Sequence, residues 1–251
     1  MKTAVITGAS SGLGIQLALA AEKKFPEIEC FWLVARREDR LRETAARLKT
    51  PCTVLPLDLS CMEGCEELLS ALEREKPDVC LLINNAGFGI LGDVADADYR
   101  EQAGMIDVNI RALTAITTMT LPYMKRGARI LNVSSIASFC PNPRMTVYSS
   151  TKAYVSSFTR GLSEELRETG ISVTAVCPGP MDTEFLSVAH ITGNSKMFRT
   201  LPYCEPKAVA EGAISACASG RVIYTPKLFY GFYRFVAKVL PQSLVVKFAK
   251  T

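Results

Sequence analysis

Seven short apolar runs alternate with helical patterns along the chain, and this rhythm limits the possible folds more than any other feature. The strand candidates are Thr3–Thr7, Cys30–Ala35, Thr53–Leu57, Val79–Asn84, Arg129–Ser134, Ser172–Cys177 and Val222–Tyr224. Between them, spacing predicts helices near Leu13–Lys24, Arg37–Lys49, Cys61–Arg74, Asp98–Met124, Val147–Glu168 and Pro206–Ala218. The strand runs are apolar at successive positions, as in strands buried on both faces. Such alternation predicts an α/β fold: a doubly wound parallel sheet of Rossmann type, about seven strands with helices on both faces.

No Gly/Ser/Pro tract divides the 251 residues and no fixed-period repeat appears, so one domain is expected over 1–251. Two segments break the rhythm. Residues 181–203 carry Gly193, Asn194 and scattered apolar residues without a period, the mark of a substrate loop. Residues 227–251 form an apolar, basic tail in which Pro241 should interrupt one helical run and Leu244–Val246 resume it.

The composition excludes several classes. With 48% hydrophobic and 22% charged residues the chain is too apolar for disorder. The nine cysteines form no C-x-x-C pair, so no metal is expected, and reduced thiols in a cytoplasmic protein are the reading. Glycines between Gly8 and Gly14 interrupt the only stretch resembling a secretory signal. The net charge of +4 lies in the tail, which holds five basic residues and no acidic one, leaving 24 basic and 25 acidic elsewhere. A neutral body argues against nucleic acid as a partner. The tail is expected to pack on its own domain or a partner subunit in preference to a membrane surface.

The first strand-to-helix turn reads Thr7-Gly8-Ala9-Ser10-Ser11-Gly12-Leu13-Gly14. Glycines there let backbone approach a pyrophosphate, and the following helix N-terminus favours anionic oxygens. The spacing G-x3-G-x-G differs from G-x-G-x-x-G. The second strand ends in Ala35-Arg36-Arg37-Glu38, with two arginines where an NAD site carries an acid. Arg36 and Arg37 suit charge-assisted bonds to a 2′-phosphate, so NADP(H) is the expected cofactor.

Tyr148 and Lys152 are four apart, hence on one helix face. A phenol with pKa near 10 is a poor base at neutral pH. A cation about 4 Å away at effective dielectric near 20 attracts a phenolate by roughly 4 kcal/mol, at most about 3 pK units before desolvation opposes it. Thirteen residues before Tyr148, Ser135 follows Asn132-Val133-Ser134 at the carboxyl edge of the fifth strand, where a hydroxyl can hold a substrate oxygen. Asn84-Asn85-Ala86-Gly87 ends the fourth strand, and Pro178-Gly179-Pro180-Met181-Asp182-Thr183 follows the sixth.

Together these motifs resemble the single-domain branch of the short-chain dehydrogenase/reductase family, in order, from Lys2 to about Tyr224. The resemblance implies that Tyr148 is the general acid/base, that Lys152 lowers its pKa and holds the nicotinamide ribose, and that Ser135 orients the carbonyl. It implies that Asn109 completes a proton relay through water. It sets the cofactor along Gly8, Ser10, Ser11, Gly12, Leu13, Gly14, Arg36, Arg37, Asp58, Leu59, Asn85, Ala86, Gly87, Tyr148, Lys152, Pro178, Gly179, Met181 and Thr183. Asp58 would contact adenine and Thr183 the carboxamide. Many NADP-dependent members carry a basic residue at the position of Ser11, so here Arg36 and Arg37 carry the phosphate alone.

A hydrolase is disfavoured: His190 is the one histidine, it lies in the irregular segment, and no G-x-S-x-G elbow exists. An epimerase of the sister families would need a longer C-terminal substrate region. An NADP-sensing scaffold would have no use for the four catalytic residue types. Mostly apolar pocket candidates, Ile136, Phe139, Cys140, Met145, Met181, Phe185 and Met197, point to a lipophilic carbonyl substrate such as a steroid or acyl ketone. A homodimer or homotetramer is expected.

Overall fold

A computed structural model describes residues 1–191, 198 and 200–249, with Phe248 as backbone only. Strands β1 (Lys2–Thr7), β2 (Cys30–Ala35), β3 (Cys52–Pro56), β4 (Asp78–Asn84), β5 (Arg129–Val133), β6 (Ser172–Val176) and β7 (Ile223–Tyr224) form one sheet in the order β3-β2-β1-β4-β5-β6-β7. Every pairing is parallel. The helices that interleave with these strands are α1 (Gly12–Lys24), α2 (Glu38–Ala45), α3 (Met62–Glu75), α4 (Tyr99–Ile106), α5 (Leu113–Thr120), α6 (Thr146–Glu165), α7 (Glu184–Val188) and α8 (Pro206–Ala218).

Successive strand residues serve opposite layers, which explains the unbroken apolar runs. Ala4 and Ile6 of β1 join Leu17 and Ala18 of α1 and Ala213 of α8 in one core. Val5 joins Leu68 of α3 and Ile116 in the other. The strand order reverses between β1 and β4, so a crevice opens at the carboxyl ends of the sheet.

Two expected helices are shorter than their patterns. The helix expected to reach Lys49 stops at Ala45, because the Glu22 carboxylate accepts the Lys49 and Thr50 amides at 2.7 and 2.8 Å and draws the chain out toward β3. The span Asp98–Met124 is α4, a widened π-helical turn over Asp107–Ala112, α5, and a tight turn at Leu121–Tyr123. The widened turn carries Asn109.

The tail forms α9 (Leu228–Val239) and α10 (Gln242–Phe248), broken at Pro241 as its sequence requires. Tyr230 is fully buried and its hydroxyl donates to the Pro202 carbonyl at 2.8 Å. Ala237, Val245 and Ala249 pack with Cys140, and Phe139 meets Tyr233 with ring centroids 6.1 Å apart. The expected packing holds for one face only, since Phe232, Phe235 and Val239 are exposed.

Candidate active site

A cavity of about 610 Å³ occupies the crevice at the carboxyl ends of the strands. One end is walled by Arg36, Arg37, Asp58 and Leu59 from the ends of β2 and β3, and the floor by Gly8, Ser10, Ser11, Gly12 and Leu13. Asn85, Ala86 and Gly87 follow β4, and Pro178, Gly179, Met181 and Thr183 follow β6. Ser135, Tyr148 and Lys152 line the far end.

Two expected residues stand behind this wall. Gly14 is not a lining residue; a side chain there would strike the Gly8 carbonyl, so it serves the packing of α1 on the turn. Asn109 is 1% exposed, and its side chain is fully engaged. Its Oδ1 accepts from the Phe88 amide at 3.0 Å, while Nδ2 donates to the Phe88 carbonyl at 2.9 Å and to Thr151 Oγ1 at 3.0 Å. That side chain ties the end of β4 to α6 and does not face the cavity.

Helix α6 carries Tyr148, Thr151, Lys152, Val155 and Thr159 on its buried face, at spacings of three and four. A buried polar network orients it: Asn84 Nδ2 donates to Asn132 Oδ1, and Asn132 Nδ2 donates to Thr159 Oγ1, each at 2.9 Å. The Tyr148 ring lies 5.5 Å from that of Phe185, and Lys152 Nζ is 5.8 Å from its centroid. Gly89 leaves room for that ring, since a Cβ there would sit 2.8 Å from Tyr148 Cδ2.

The charge relation between the two differs from the sequence argument, which has Lys152 lowering the tyrosine pKa. Burial pushes the Tyr148 phenol up to about 12, partly offset by its hydrogen bond with Ser135. Burial also brings the Lys152 ammonium down to about 8. Its Nζ donates to the neutral Val133 carbonyl at 2.9 Å rather than to an anion, and burial is the larger influence on both groups.

At the opposite end, Arg37 is bonded to Glu184 at 2.7 Å, an ion pair about half exposed on each side. The guanidinium bonded to it holds the Glu184 carboxyl below the usual carboxylate range, and Ser11 adds a hydrogen bond. A carboxylate thus bridges the glycine turn and the second arginine.

The chain matches the short chain dehydrogenase family over residues 2–192. It belongs to the short-chain dehydrogenase/reductase family. An uncharacterized oxidoreductase of Staphylococcus epidermidis is 34% identical over 184 residues, which are 72% of this chain and 79% of that protein. Among solved structures, a short-chain dehydrogenase from Sphingobium yanoikuyae in complex with NADPH is 27% identical, with a TM-score of 0.79 over 97% of this chain and 98% of its own. A 3-ketoacyl-(acyl-carrier-protein) reductase from Brucella melitensis complexed with NADH is 26% identical, with a TM-score of 0.76 over 90% and 96%.

The residues of this short-chain dehydrogenase/reductase fit a dinucleotide. Gly8 and Gly12 adopt φ of +66° and +50°, a left-handed turn that favours glycine. A Cβ at Gly8 would stand 2.7 Å from Asn85 Nδ2, so the turn packs directly on the end of β4. Two guanidinium groups, a glycine turn and one ammonium line the same cavity, donors that suit the anionic and hydroxyl oxygens of such a molecule.

On the substrate side, Ile136, Met145, Met181 and Phe185 line the cavity as expected. Phe139 and Cys140 do not; they turn away to pack against the tail. Met197, like the rest of 192–197, lies outside the described residues. The sequence reading missed Phe88, Asn142, Glu184 and Phe198. Glu184 directly follows Thr183, but nothing in its local pattern announces a partner 147 positions away. His190 is exposed, 3.9 Å from Glu101.

Proposed function

We propose that this protein transfers a hydride between NADP(H) and a lipophilic ketone or its secondary alcohol. NADP(H), when bound, supplies or accepts the hydride. The observation that carries the reading is one cavity with Arg36 and Arg37 at one end and Ser135, Tyr148 and Lys152 at the other. NADPH-bound and NADH-bound proteins both occur among its structural relatives, so the paired arginines support the choice of NADP(H).

In the reductive direction the Ser135 hydroxyl holds the substrate carbonyl oxygen and Tyr148 gives its proton to that oxygen. With its pKa pushed up to about 12, the phenol keeps that proton at neutral pH until a developing alkoxide claims it. The Lys152 ammonium, still charged below about pH 8, stabilises the phenolate left behind. Asn109 acts by position, holding Phe88 and Thr151 so that the end of β4 and α6 keep their spacing. Ile136, Met145, Met181 and Phe185 give the substrate an apolar bed.

An NADPH-oxidation screen across steroids, acyl ketones, sugars and quinones tests the reading. Turnover is expected with bulky apolar ketones and at lower kcat/KM with NADH. Turnover confined to sugars overturns the substrate class, and equal use of NADH overturns the cofactor choice.

A further inference from the structure

Helix α9 is apolar on two sides. Its inner side seats Tyr230 and Ala237 in the protein. Its outer side shows Leu228, Phe232, Phe235 and Val239, spaced i, i+4, i+7 and i+11 along one stripe. Phe232 and Phe235 are 66% and 64% exposed, whereas a surface helix ordinarily turns polar residues to that side. Beyond Pro241 the stripe continues through exposed Leu244. Lys227, Lys238 and Lys247 are exposed around it, and no acidic residue occurs from Lys227 to Thr251.

We propose that this face docks on an anionic lipid surface. Aromatic rings on one stripe with lysines beside them match a bilayer interface, where rings enter the acyl boundary and ammonium groups meet headgroup phosphates. Charge selects this occupant over a second copy. A two-fold pairing through the stripe sets the tail's cations against one another with no acidic residue in the segment to neutralise them. The rest of the chain carries 24 basic and 25 acidic residues, so the attraction comes from the tail and orients the molecule with that face toward the anionic surface. The contact is interfacial: among the described residues, no helix is long and apolar enough to cross a membrane.

Flotation of the full chain with phosphatidylglycerol/phosphatidylcholine vesicles and with phosphatidylcholine vesicles tests the proposal. The protein should float with the anionic vesicles and partition at least about tenfold less onto the neutral ones, since each lysine near the surface contributes about fivefold. About 1 M salt, where the Debye length falls to about 3 Å, should release most of it. Phe232→Asp/Phe235→Asp should lower the partition coefficient by at least about tenfold with an unchanged melting temperature. If that variant melts early, Phe232→Ala/Phe235→Ala and Lys238→Glu/Lys247→Glu carry the comparison, each expected to weaken binding severalfold. Failure to float, or flotation unaffected by all three variants, overturns the proposal. So does a stable dimer in sedimentation equilibrium that Phe232→Asp/Phe235→Asp converts to monomer, because the stripe is then covered by a second copy.

Discussion

Replacing Lys152 by methionine should make the protein more stable while destroying its activity. Lys152 is 5% exposed and its ammonium is brought from 10.5 down to about 8 by burial. At 1.36 kcal/mol per pK unit, keeping it charged in the fold at pH 7 costs about 3 kcal/mol. Methionine removes that cost and fills similar space, but it leaves the Val133 carbonyl without its donor at 2.9 Å, a loss of about 1–2 kcal/mol. The net gain is about 1–2 kcal/mol, a rise in Tm of roughly 2–6 °C for a chain of this size. The pH dependence follows from the sign of the shift. The folded pKa lies below the unfolded one, so between about pH 8 and 10.5 the unfolded chain binds more protons and the parent grows more stable as pH rises. The variant lacks this gain, so its Tm advantage should shrink as pH is raised from 7 to 10. Thermal melts of both proteins at the two pH values provide the measurement, with NADPH oxidation and NADPH binding both expected to fall. A lower Tm at pH 7, or an advantage that does not change with pH, refutes the account of Lys152 as a costly buried cation kept for the chemistry.

Tyr148→Phe removes the transferred proton but keeps the ring against Phe185, so turnover should drop by at least about 100-fold with NADPH affinity within a few-fold by fluorescence titration. Neutral replacements of both Arg36 and Arg37 should weaken NADPH by at least about 10–100-fold, the value of a single hydrogen bond to a charged group, and NADH little; equal weakening would make the arginines structural. Glu184→Gln releases Arg37 from a half-exposed ion pair of about 0.2–1 kcal/mol. NADPH should then bind up to about fivefold tighter and NADH unchanged, in parallel titrations; weaker NADPH binding would mean that Glu184 is needed to hold the arginine in place.

Much of the site was legible because its signals are local. The turn from Gly8 to Gly14, the arginines after β2 and the four-residue spacing of Tyr148 and Lys152 each depend on a few neighbouring residues and the period of one element. Asn109 was found by its resemblance to a motif, yet its inward-turned side chain depends on the widened turn at Asp107–Ala112, which no periodicity marks. Phe139 and Cys140 look like pocket residues in sequence; whether they face the cavity or the tail depends on where α9 and α10 come to rest.

The sequence by itself determined the parallel sheet, the order of its helices and the presence of phenol, ammonium and guanidinium groups, because alternation and spacing are properties of the chain alone. Tertiary structure decided the rest. It put Glu184 against Arg37 across 147 positions, where the first turn of α7 meets the turn that leads into α2. It set the signs of the Tyr148 and Lys152 shifts, because desolvation depends on what surrounds a group in space and outweighs the attraction that spacing alone predicts. It also divided the apolar tail into a packed face and an exposed one: both faces are written in the same residues, and only the surface that α9 meets decides which of them is buried.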